Sequence, residues 1–165
     1  MNSRTQRIAL TALFIALSAI GAQLKIFSSI AFDSLPAFLA AMLLGGPEGA
    51  LVGALGHMLT AALSGFPYTL PLHIVIALEM AGICYLAGWL VQKKHMAIWL
   101  AALIAFILNA FISPLILIVW PGFGWAVCVA LFLPLAFGSA ANAAGAAVLA
   151  YALKSKLFRR SKANG

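Results

Sequence analysis

The chain contains only three carboxylates, Asp33, Glu48 and Glu79. Glu79 lies inside a long apolar run, where an ionisable group is costly and points to function. Its structural alternatives are a pairing with His57 or His73, or a protonated carboxyl bonded to a neighbouring helix. Asp33 or Ser34 can cap the apolar run that follows, and Asp33 can in addition contact a ligand. Glu48 follows Gly45-Gly46-Pro47 and suits the positive end of a helix dipole, a structural role. His57 sits mid-run among glycines and reads first as a hydrogen-bonded link between helices. His73 stands near the start of the following run. Asn109 and Ser113 are four apart, with Trp120 near the same face eleven residues after Asn109. Asn142 is flanked by Gly138 and Gly145. Polar groups in hydrocarbon need partners, so these residues either join helices or line a pocket for a solute.

Enzyme signatures are missing. There is no phosphate-binding G-x-x-x-x-G-K-[ST] loop, no H-E-x-x-H and no G-x-S-x-G, and no Cys/His cluster stands at metal spacing. No metal or other cofactor is expected. Cys84 and Cys128 stand alone in apolar stretches and read as core packing.

The elements that must carry these residues follow from composition. With 65% hydrophobic and 8% charged residues in 165, a domain of this size has too little interior to hide its apolar surface. The excess must face lipid, which makes the chain an integral membrane protein of the cell membrane. The net charge of +7 does not indicate nucleic acid, because the cations bunch at the ends of apolar runs and form no basic stripe.

Helices need about 20 apolar residues to span. The first run covers residues 7–25; it begins like a signal peptide but is expected to remain. A polar interruption at 27–34 leads, with Pro36 in the first turn, to a short second helix ending near Leu44. A third is expected over 48–64, a fourth over 72–91, a fifth over 97–119 and a sixth over 126–153, with a kink at Pro134. The second run spans only about 16 Å at 1.5 Å per residue, so it reads either as a span or as one arm of a re-entrant hairpin. Charge decides between these. Six spans put nine of the ten lysines and arginines on one side, leaving Lys25 opposite, as the positive-inside rule favours. The fold expected is an all-α bundle of six transmembrane helices over residues 1–165, a single domain with both termini cytoplasmic. Three loops rich in aromatics, Gly and Pro then lie outside, at 27–34, 65–71 and 120–125.

Small residues recur at helical spacing. Ala12 and Ala16 form a small-xxx-small pair on the first helix, and Gly49, Gly53 and Gly56 line the third.

These features together resemble the substrate-binding S component of energy-coupling factor (ECF) vitamin transporters. The matching stretches are Ala12-x-x-x-Ala16, Ala31 to Phe38, Leu43 to Ala50, Gly53 to His57 and Gly65-Phe66-Pro67. The resemblance implies a vitamin-binding subunit, not an enzyme. It implies a site between the outer loops and helices four to six, and partners comprising a membrane coupling protein and two ATPases. The sequence is most similar to members associated with α-ribazole, a cobalamin precursor; pantothenate or another vitamin is the alternative ligand. The site expected comprises Asp33, Phe66, Tyr68, Glu79, Asn109, Trp120 and Asn142, with Ala12 and Ala16 facing the coupling partner. A membrane scaffold without a small ligand is the competing class.

Overall fold

The computed structural model describes residues 4–23, 25–26 and 30–163, with side chains placed for 4–23 and 32–154. Residues 27–29 of the first polar loop, and the side chains of Lys25, Lys156, Arg159, Arg160 and Lys162, therefore lie outside what is described.

Six helices form the bundle: α1 (Arg4–Gln23), α2 (Ser34–Leu44), α3 (Gly46–Leu63), α4 (Leu70–Gln92), α5 (Ile98–Val119) and α6 (Trp125–Ala163). Between α1 and α2, β1 (Lys25–Ile26) and β2 (Ile30–Ala31) pair antiparallel, Lys25 opposite Ala31. No apolar alternation marks this two-residue ladder in the sequence. Four helices, α1, α4, α5 and α6, are long and apolar enough to cross a membrane.

Helix ends differ from the sequence expectation where capping chemistry decides. The elbow between α2 and α3 is the single residue Gly45, at φ +121°, a conformation that side chains disfavour. Thus α3 starts at Gly46, two residues earlier than expected. Thr69 caps α4 by accepting the Leu72 N–H at 3.4 Å, which draws Leu70 and Pro71 into the first turn. Asp33 occupies the N-cap position of α2 but makes no side-chain cap bond; the capping role expected of it is corrected. The amide of Asn142 serves instead, its Oδ1 accepting the Leu35 N–H at 2.9 Å. Pro134 lies inside α6 and Pro114 inside α5; each removes one ladder hydrogen bond.

The shortest helix is the most hidden. Phe38, Ala40, Ala41 and Met42 of α2 have no exposure at all, because α1, α3, α4 and α6 surround it. A buried helix end must satisfy its last four carbonyls, and α2 does so completely. Gly45 N–H donates to Ala41 O at 3.1 Å. Gln92 Nε2 donates to Met42 O at 2.7 Å and Leu43 O at 3.3 Å, and Arg7 Nη2 donates to Leu44 O at 2.9 Å. An 11-residue helix can therefore end inside the protein, since protein groups replace the missing water. The glycines of α3 permit the enclosure. A Cβ on Gly53 would stand 2.8 Å from Met80 O, and one on Gly49 would stand 2.5 Å from the Ala41 Cβ.

Contacts at the helix ends show how the chain alternates. The start of α1, the α2–α3 elbow and the end of α4 meet through Arg7 and Gln92. Residues 95–99 approach Tyr151 and Lys154 of α6 at that same end. At the other end, the α3–α4 and α5–α6 loops meet where Tyr68 packs edge-on against Phe123, 5.4 Å between ring centres. The half containing the elbow is packed by α2 with Val52, Ile83, Cys84, Ala87, Ala101, Ala105, Ala146 and Ala147. The other half is hollow.

Candidate functional site

A cavity of about 370 Å³ occupies that hollow half, within the size range of small-molecule sites. Five elements and one loop build it. The start of α2 contributes Asp33 and Ser34, α3 His57, the α3–α4 loop Tyr68, α4 Ile76 and Met80, α5 Asn109, Ser113 and Leu117, and α6 the stretch from Leu131 to Asn142.

The backbone leading to Asp33 is pinned on both sides. Phe32 N–H donates to Gly21 O at 3.1 Å, and Ser18 Oγ donates to the Asp33 carbonyl. Ser34 Oγ is 3.3 Å from Asp33 Oδ1. Burial pushes the Asp33 carboxyl above the ordinary aspartate range, against the opposing effect of the Ser34 hydrogen bond.

Tyr68 is placed by the end of α3. Gly65, at φ +71°, reverses the chain; its N–H donates to Ala62 O at 3.1 Å, and Phe66 N–H donates to Ala61 O at 2.8 Å. This is the paired Schellman closure of a helix C-terminus. It leaves Phe66 at φ +49° and turns both aromatic rings toward His73, 5.7 Å from Phe66 and 5.9 Å from Tyr68 between ring centres.

Two polar groupings are formed. In the first, His57 Nε2 and His73 Nδ1 stand 3.2 Å apart and share a proton. In the second, α4, α5 and α6 are joined by one chain of hydrogen bonds. Asn109 Nδ2 donates to Ser139 Oγ at 3.1 Å, and Ser139 Oγ donates to Phe106 O at 3.4 Å. Ser113 Oγ lies 2.8 Å from Glu79 Oε1 and 3.2 Å from Asn109 Oδ1; its single proton serves one of them at a time. Glu79 thus pairs with Ser113, and the alternative pairing with His57 or His73 is corrected. The two histidines bond each other.

Of the expected residues, Asp33, Tyr68, Asn109 and Asn142 line one cavity. Glu79 stands one hydrogen bond behind its wall through Ser113. Phe66 does not line it; its ring packs on His73, which in turn bonds the lining His57. Trp120 is the C-cap of α5 and is not a lining residue; Leu117 occupies the corresponding position on that face. Ser139, absent from the sequence expectation, is 2% exposed and central to the network. Its one signal was a hydroxyl three residues before Asn142 in an otherwise apolar helix. Among the described residues no group of His, Cys, Asp and Glu could hold a metal ion.

On α1, Thr11, Phe14, Ser18, Gly21 and Ala22 face the bundle, while Ala12 and Ala16 are exposed on the opposite side.

The molecule is a bundle of apolar helices with, at one end, a cavity lined by both polar and apolar side chains. A family model for the substrate-specific component of ECF transporters matches residues 6–154, and the chain belongs to this family. Its members are membrane-embedded transporter subunits, not enzymes; each takes a small-molecule substrate and works with an ECF module. No curated protein and no solved structure matched the chain.

Proposed function

We propose that this chain binds a vitamin or vitamin precursor in the hollow end of the bundle and delivers it through a membrane coupling subunit and two ATPases. The leading candidate ligand is α-ribazole. The observation that carries the reading is the pairing, in one cavity of about 370 Å³, of an aromatic rim with a polar floor. Tyr68 stands at the rim against Phe123, while Asn109, Ser113, Ser139 and Asn142 form the floor. A flat ring stacks above and ribose-type hydroxyls bond below.

The chain crosses the cell membrane six times with both termini cytoplasmic. The alternation of helix ends supports this, as does the position of Arg4, Arg7, Lys93, Lys94 and Lys154 at the packed end. The hollow end then opens outward. The exposed Ala12–Ala16 face of α1 supports docking of the coupling subunit there, since small residues allow helix backbones to approach closely.

The test is mass spectrometry of small molecules released from detergent-purified protein, followed by titration of its tryptophan fluorescence with α-ribazole. Release of a ring-bearing vitamin precursor that rebinds is the expected result. A purified, folded protein that releases nothing and responds to no vitamin defeats the proposal.

A further inference from the structure

The hydrogen-bond inventory of the cavity is lopsided. Most of its donors are already committed to acceptors within the protein, the Tyr68 hydroxyl and one imidazole N–H of the His57–His73 pair being the exceptions. Asn109 Nδ2 goes to Ser139, Ser139 Oγ to Phe106 O, Asn142 Nδ2 to Gly138 O at 2.8 Å, and Ser34 Oγ to Asp33. The Ser113 proton is claimed by two acceptors, Glu79 and Asn109. Acceptors, by contrast, are left over. Asp33 lines the cavity and receives the 3.3 Å contact from Ser34 and a weaker one from the Thr60 hydroxyl, whose proton is donated to Gly56 O. Behind the wall, Glu79 Oε2 is buried and without a partner.

Charge runs the same way. No lysine or arginine is among the lining residues, and Arg7, Lys93, Lys94 and Lys154 stand at the opposite, packed end. The His57–His73 bond requires one ring to accept, so at least one imidazole of that pair is neutral. A buried anion without a cation and with few free donors keeps most of its desolvation cost.

Resting on the substrate-binding reading above, we infer that the cavity selects by charge: it takes a neutral or protonated-nitrogen compound rich in N–H and O–H donors, and excludes carboxylates and phosphates. Asp33 sets this filter at the cavity wall, and Glu79 extends it through Ser113. A carboxylate such as pantothenate is the wrong class of ligand, and phosphorylating an otherwise suitable nucleoside abolishes its fit.

The test titrates the full-length detergent-purified protein at about pH 8, where an ordinary imidazole is neutral. The probes are α-ribazole, its 5′-phosphate, thiamine and pantothenate. At least one uncharged or cationic probe should bind, the phosphate should bind about a hundredfold more weakly than its parent, and pantothenate should not bind. Asp33→Asn should narrow the gap between α-ribazole and its phosphate about tenfold. Because the wild-type panel stands without any variant, a misfolded Asp33→Asn does not obscure the outcome. A phosphate or carboxylate that binds as tightly as the neutral probe, or that is released from the purified protein, overturns the charge filter while leaving the substrate-binding reading intact. If no probe binds and nothing is released, that reading falls and the filter falls with it.

Discussion

Ser113 on α5 and Glu79 on α4 are joined by a 2.8 Å hydrogen bond, thirty-four residues apart in sequence. The same serine touches Asn109 Oδ1 at 3.2 Å, so one hydroxyl ties a carboxylate to the floor of the cavity. Replacing Glu79 with Gln keeps the shape and removes the charge, and Asn109→Ala removes the link to Ser139. Each should weaken ligand affinity about ten- to hundredfold, the consequence of losing one buried polar partner worth about 1–3 kcal/mol. Fluorescence titration of the two folded variants measures this. Unchanged affinity in both would move the site away from α4 and α5.

Arg7 makes a second tie, at the packed end. Its Nη2 and Nε lie 2.6 and 2.8 Å from Glu48 Oε1, and the guanidinium also holds Leu44 O. Glu48 Oε2 already lacks a partner, so Arg7→Ala strands both a carboxylate and a helix-terminal carbonyl. The Arg7 side chain is 41% exposed, so screening by solvent reduces the loss below that of a fully buried pair. A destabilisation of about 1–3 kcal/mol is expected. Thermal unfolding in detergent should rank Arg7→Ala below wild type. The double variant Arg7→Ala/Glu48→Gln should lose less than the sum of its parts. Additive losses would mean that the two side chains act independently.

The Ala12–Ala16 face offers a separation of binding from transport. Both alanines are exposed while Thr11, Phe14 and Ser18 pack inward, so Leu at both positions adds bulk outside the bundle. Ligand affinity should stay within about twofold, a change of roughly 0.4 kcal/mol. Uptake and co-purification of the coupling subunit should be lost. Equal loss of ligand binding would show that these alanines serve the internal fold.

Topology is open to direct measurement. Reporter fusions after Lys94 and after Lys162 should both read as cytoplasmic, because nine of ten cations share one side when α2 crosses. An external reading at either point would mean that α2 returns to the side it entered from.

The sequence by itself determined the class of protein and the periodic elements. Apolar runs of about 20 residues admit one reading, and Gly, Pro and charge mark where such runs stop. Helix ends set by a side chain close in sequence were partly legible, as at Gly45 and Pro71. Polar residues in an apolar helix also announce themselves, so Asp33, Glu79, Asn109 and Asn142 stood out before their positions were known. Their partners did not. That Glu79 meets Ser113 and not a histidine, and that Asn142 caps a helix 107 residues earlier, depends on how helices turn about their axes when packed. So does the inward turn of Ser139 and the absence of Trp120 from the cavity wall. The burial of α2 is the clearest case. Its 11 residues are too short to satisfy a bilayer alone, and only tertiary structure could bring Arg7 and Gln92 to its open carbonyls. A sequence lists the polar groups that must find partners; packing decides which partners are within reach.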